Sequence, residues 1–158
     1  MKVTLSTGIE IEIATPPVFR VYDLADKMYP PPDPPVVEDT TVTGETIRME
    51  IVDDPGYLAE VEVQEARHRK AIDELSILLA LRSVEVPEDF DVMEFSSELQ
   101  YMDPDWKPRD GEMGQKLDYI EFVLLAAPRD QLLVQEIVND MCAIDQEEIA
   151  QVADSFRS

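Results

Sequence analysis

His68 is the single histidine of the chain, and Glu65 stands three residues before it, a spacing that lets a carboxylate and an imidazole share a proton on one helix face. A lone histidine beside the apolar stripe of a helix more often serves structure than acid–base chemistry. Cys142, between Met141 and Ala143, has no basic neighbour to favour its thiolate and reads as a buried thiol. One histidine and one cysteine do not make a zinc site. The stretch from Asp103 to Glu112 imitates a calcium loop, but Lys107 and Pro108 occupy the places of an oxygen ligand and the turn glycine, and the closing glutamate is missing at its proper distance. Five glycines form no phosphate-cradling loop, and no serine nucleophile elbow is present. The residue types favour binding over bond-making, so no catalytic residue, no metal ligand and no cofactor is expected.

Two stretches carry groups suited to binding. Residues 88–106 set Phe90, Met93, Phe95, Tyr101, Met102 and Trp106 among acids, so the strip could enter a partner's apolar groove while its charge steers association with a basic rim. The plainer alternative is that these side chains cap the protein's own core. The second stretch, from Asp53 to Arg82, reads as one long helix. Asp53 or Asp54 caps it, and Pro55 takes the first position, where its missing N–H costs nothing. Leu58, Val61, Ile72, Leu75 and Leu79 follow three-and-four spacing, with Glu65 and His68 in the same stripe. Ile72 to Leu81 is apolar nearly all round and should be core, whereas the first half, with Val61, Glu65 and His68, should protrude or meet a partner. At 1.5 Å per residue the helix would span about 42 Å.

Charge narrows the partners. Thirteen basic against thirty-five acidic residues give −22, which repels phosphate backbones and anionic membrane surfaces, so neither direct nucleic-acid binding nor a membrane role is expected. Residues 87–115 are the most lopsided. With carboxylates this abundant, neighbouring acidic pairs carry little information about catalysis. A single cysteine suits a reducing compartment, and no apolar run approaches membrane-spanning length. A cytoplasmic protein is expected.

The other elements follow in order. Residues 2–13 alternate around Ser6-Thr7-Gly8 as a β-hairpin with one buried face. Thr15-Pro16-Pro17 opens a helix to about Tyr29, with Val18, Val21, Tyr22 and Ala25 on one side. The run Pro30 to Pro35 stops it as stiff polyproline II, a spacer whose proline spacing, without basic neighbours, is a poor groove ligand. Val36–Val42 and Thr46–Ile51 flank Thr43-Gly44-Glu45 as a second hairpin. The two hairpins could join into one four-stranded sheet covered by a helix. From Glu88 to Phe95 acidic residues interleave with large apolar ones, the pattern of a short helix continuing to Tyr101, and residues 103–111, with two prolines, a glycine and Trp106, are expected to form a loop. Three helical stretches close the chain. Glu112–Ala127 places Met113, Leu117, Ile120, Val123 and Leu124 on one face, and Arg129–Ala143 buries Leu132, Leu133, Ile137, Val138 and Met141 as its antiparallel partner. Asp145 caps a last helix bearing Ile149, Val152, Ala153 and Phe156. The expected class is α+β: N-terminal hairpins forming a small antiparallel sheet, one long central helix over 54–82 and a C-terminal helical bundle. Residues 1–52 and 53–158 are expected to form one compact unit.

Several landmarks together resemble a family of small accessory proteins of tailed bacteriophages, the tail assembly proteins or tail assembly chaperones. They are Leu5-Ser6-Thr7-Gly8, Pro16-Pro17 opening a helix, the proline run 30–35 with Val36-Val37-Glu38, Asp53-Asp54-Pro55-Gly56-Tyr57-Leu58, Val84-Glu85-Val86-Pro87-Glu88, and Leu117-Asp118-Tyr119-Ile120-Glu121-Phe122-Val123-Leu124. The resemblance spans most of the chain and supplies no catalytic residues; the acidic segment 88–106 looks particular to this chain. It implies a phage-encoded protein, present in the host cytoplasm or in the virion, that binds other phage proteins such as the tape measure or the tail tube. Two other roles compete: a structural virion component at a tail or head–tail interface, and an acidic DNA mimic that occupies the basic groove of a host nucleic-acid enzyme. The acids form no regular row of the kind a mimic needs.

Overall fold

The computed structural model describes residues 1–157; within its last helix the side chains of 144–149, 152, 153 and 155–157 lie outside the described set. The architecture is α+β, with two small antiparallel two-stranded sheets in the N-terminal part, a long central helix and a helical C-terminal part. Strands β1 (Lys2–Thr4) and β2 (Glu10–Glu12) pair through a turn in which Gly8 takes φ +84°, a conformation side chains resist. Helix α1 covers Val18–Met28, β3 Val36–Thr40, β4 Thr46–Glu50 and α2 Pro55–Ala80. A 3₁₀ turn at Val92–Phe95 leads into α3 (Ser96–Met102). Helix α4 (Gly111–Tyr119) runs into a π turn at Ile120–Leu124, and α5 spans Pro128–Arg157. Among the described residues no helix is long and apolar enough to cross a membrane.

The expected four-stranded sheet does not form: β1–β2 and β3–β4 are separate. The contacts divide the chain into a discontinuous unit of residues 1–18 and 74–158 and a unit of residues 19–73, so the division falls inside α2 rather than at 52/53. In the discontinuous unit Leu5, Ile11 and Ile13 of the first hairpin pack with Leu78 and Leu81, with Ile120 and Leu124, and with Val134 and Val138. Alternation in the hairpin and four-residue spacing in α5 thus meet in one core.

Helix α2 has the asymmetry its sequence implies. None of residues 55–70 is buried, whereas Ala71, Leu75, Ser76, Leu78 and Ala80 are. Asp54 is the cap, accepting the Tyr57 N–H at 2.9 Å. The C-terminal expectations need three corrections. Helix α5 continues through Asp145, because nothing near Ala143 or Ile144 breaks it; the expected face of Ile149, Val152, Ala153 and Phe156 lies outside the described residues. Its buried stripe runs Asp130, Val134, Val138, which turns Leu132 and Leu133 outward. The regular helix expected over 112–127 widens at the π turn, where Leu125 N donates to Ile120 O at 2.7 Å; Val123 and Met113 remain exposed while Ile120 and Leu124 stay buried.

Candidate partner-binding surface

Residues 19–73 contain a cleft of about 360 Å³ built where the proline run follows α1 and returns beside α2. Val21 and Ala25 are the buried positions of α1, which leaves Asp26 free to face outward one residue on. Proline cannot continue the helix, and Pro30 O accepts the Gln64 side-chain amide at 3.2 Å. His68 Nε2 donates to Asp26 Oδ1 at 2.6 Å, tying residues 42 apart in the chain. Tyr29, Pro31, Pro32, Tyr57 and Val61 supply apolar and aromatic wall, and Asp26, Gln64, Glu65, His68 and Arg69 supply polar rim. Such a lining can bury an apolar or aromatic side chain and orient its polar neighbours. The sequence-derived trio Val61, Glu65 and His68 is therefore brought together at one cleft, with His68 oriented by Asp26 rather than by Glu65.

The acidic strip 88–106 is held differently. Asp91 caps the 3₁₀ turn by accepting the Met93 N–H at 2.9 Å, and the turn ends on Phe95. Phe90 meets Tyr119 edge-on at 5.3 Å, Phe95 stacks on Phe122 at 5.9 Å, and Trp106 meets Phe122 edge-on at 6.0 Å. Phe90, Phe95 and Trp106 are thus half-buried against the chain's own rings. Met93, Tyr101 and Met102 are left exposed.

Two carboxylates that the sequence does not single out are almost completely buried. Asp118 accepts Arg109 Nη1–H at 2.6 Å and the Arg109 backbone N–H at 3.0 Å. The same guanidinium reaches Glu74 at 3.0 Å and Glu121 at 2.7 Å. Burial works to lower the Arg109 pKa, but the bonds from Asp118, Glu121 and Glu74 outweigh it and hold the group above its ordinary value, so it stays charged. Asp130 accepts the Ser6 hydroxyl at 2.6 Å and the Ser6 N–H at 2.9 Å, and these bonds lower its pKa. Both sites join segments far apart in the chain and read as structural ties. Partners at separations of 9, 35 and 124 residues leave no local signature in a sequence. Cys142 is half-buried against the core cluster.

The second hairpin presents the most open surface. All ten residues of β3 and β4 are exposed, including Val36, Val37, Ile47 and Met49, so the helix expected to cover an inner sheet face does not cover this one. The alternation of Thr46-Ile47-Arg48-Met49-Glu50 is the signal that one face is apolar; it carries no information on what covers that face. No family model, no characterised protein and no solved structure matches the chain.

Proposed function

We propose that the chain is a phage-encoded, non-enzymatic protein that holds another tail protein, the tape measure or the tail tube, while the tail is assembled. The observation that carries the binding role is the concentration of uncovered apolar side chains in residues 19–73, on β3, β4 and the first half of α2, in a chain of charge −22. Uncovered apolar surface on a highly charged protein suits a partner that must be masked and kept in solution. A long helical tail protein exposes such seams before it is assembled. The resemblance in the segments around the proline run and the start of α2 supplies the phage assignment.

The test is co-expression with the tape-measure protein and, separately, the tail-tube protein of the phage that encodes this chain. A soluble complex through size-exclusion chromatography is the expected result. Recovery of the chain alone in both cases would sink the assembly reading. Stoichiometric copies in purified virions would replace it with a structural one.

A further inference from the structure

The ladder between β3 and β4 determines which backbone groups are occupied and which stand open. Thr41 N donates to Glu45 O and Ile51 N to Pro35 O, each at 2.8 Å, and the register pairs Val37 with Met49 and Asp39 with Ile47. Odd-numbered residues of β3 therefore sit in hydrogen-bonded pairs, and the N–H and C=O groups of Val36, Glu38 and Thr40 point away from β4. Among the described residues no further strand pairs with either edge. A lone two-stranded hairpin is marginal in water, so a third strand would satisfy open backbone groups and stabilise the element.

Charge selects the edge and its occupant. Between Asp33 and Asp54 seven acidic residues face one base, Arg48, which Glu38 holds at 3.2 Å. The β4 edge carries Arg48 at its centre, whereas β3 carries Glu38 and Asp39 and no base. A second copy is a poor occupant of the β3 edge, because the fully overlapped antiparallel register sets Glu38 opposite Glu38. Val37, Ile47 and Met49 share one face of the hairpin and are exposed, so an added strand gains most if its side chains alternate, basic opposite Glu38 and apolar beside Val37. We propose that the outer edge of β3 accepts, as a third strand, an extended segment of a partner protein in which lysine or arginine alternates with apolar residues. This rests on the reading that the chain works by binding another protein, and not on that protein belonging to a phage tail.

The probe is the capped heptapeptide Lys-Val-Lys-Val-Lys-Val-Lys, added to the full chain at about 0.15 M salt, where long-range attraction is screened. Amide hydrogen exchange at Val36, Glu38 and Thr40 is expected to slow about tenfold, with no slowing at Thr46, Arg48 or Glu50. A peptide of the same sequence N-methylated at its lysine amides keeps every charge and loses the strand donors; it should bind about tenfold more weakly. Glu38→Pro removes an open N–H without removing a ladder bond and should weaken binding, while Arg48→Pro, the matched change on the other edge, should not. Equal binding of the methylated peptide, or protection confined to β4 or to α2, would overturn the inference. A tail-protein complex that leaves the β3 amides unprotected would overturn it while leaving the assembly role intact.

Discussion

The two units differ in what they do with apolar surface. Among the described residues, the discontinuous unit holds twelve of the fifteen buried apolar residues, and residues 19–73 hold Val21, Ala25 and Ala71. The shorter unit nevertheless exposes eleven large apolar side chains against nine in the longer one. Formal charge follows length, −15 in the longer unit and −7 in residues 19–73, so the two are about equally acidic per residue. At a similar charge density, the region with a thin core carries the larger share of exposed apolar surface suited to contact. On the proposed binding role, stability and recognition lie in different parts of one chain, and substitutions in the two should affect different measurements.

The largest effect is expected at Leu81, which is fully buried in the core cluster. Leu81→Ala should cost about 2–5 kcal/mol in urea unfolding, from lost transfer energy and the cavity left behind. Arg109→Met should come next, at about 3 kcal/mol, because Asp118 would keep its buried charge after losing the guanidinium. Adding Asp118→Asn to Arg109→Met should recover part of that loss. If the double variant were no more stable than Arg109→Met, the penalty would not lie in the stranded carboxylate. Gly114→Ala follows at about 1–3 kcal/mol: a Cβ there would lie 2.7 Å from Arg109 Cβ and 2.8 Å from its carbonyl carbon, and a backbone atom yields poorly.

How far the sequence could be read depends on whether the deciding interaction is local. Gly8 and Gly44 mark the hairpin turns, Asp54-Pro55 marks the start of α2, and the apolar run after Ala71 marks the buried half of that helix, because turns, caps and periodicity act within a few residues. Pairing between hairpins is a long-range choice, and the alternation of β4 serves equally for a covered or an uncovered face. The cleft was legible in part: Val61, Glu65 and His68 share a helix stripe, but Asp26, the residue that orients His68, lies 42 positions away. The aromatic strip shows the same limit. Phe90, Phe95 and Trp106 have the composition of a docking segment, and only the positions of Tyr119 and Phe122 decide that they pack inward.

Acid should test one of the ties within the core-bearing unit. The Ser6 hydroxyl and N–H hold the Asp130 carboxyl below its ordinary value of 3.8, so the unfolded chain binds the proton more readily. That contribution to stability is fully present above the ordinary value and is lost as pH falls through the lower folded value. Asp130→Asn should be less stable than the parent protein at neutral pH, and the difference should narrow below pH 3.8. A gap that stayed constant down to the acid transition would show that the carboxylate's charge is not what Ser6 recognises.

The smallest effect on stability is expected where the surface is most open. Ile47 is 46 % exposed, so Ile47→Ala removes little packing and should change unfolding free energy by less than about 0.5 kcal/mol. The same substitution narrows the apolar face shared with Val37 and Met49, and should weaken capture of the alternating lysine–valine peptide without altering the urea midpoint. If Ile47→Ala instead destabilised the protein as much as Leu81→Ala, the hairpin would be covered in the free chain. The division between a core-bearing unit and a contact-bearing one would then fail, since the apolar face would already belong to the protein's own packing.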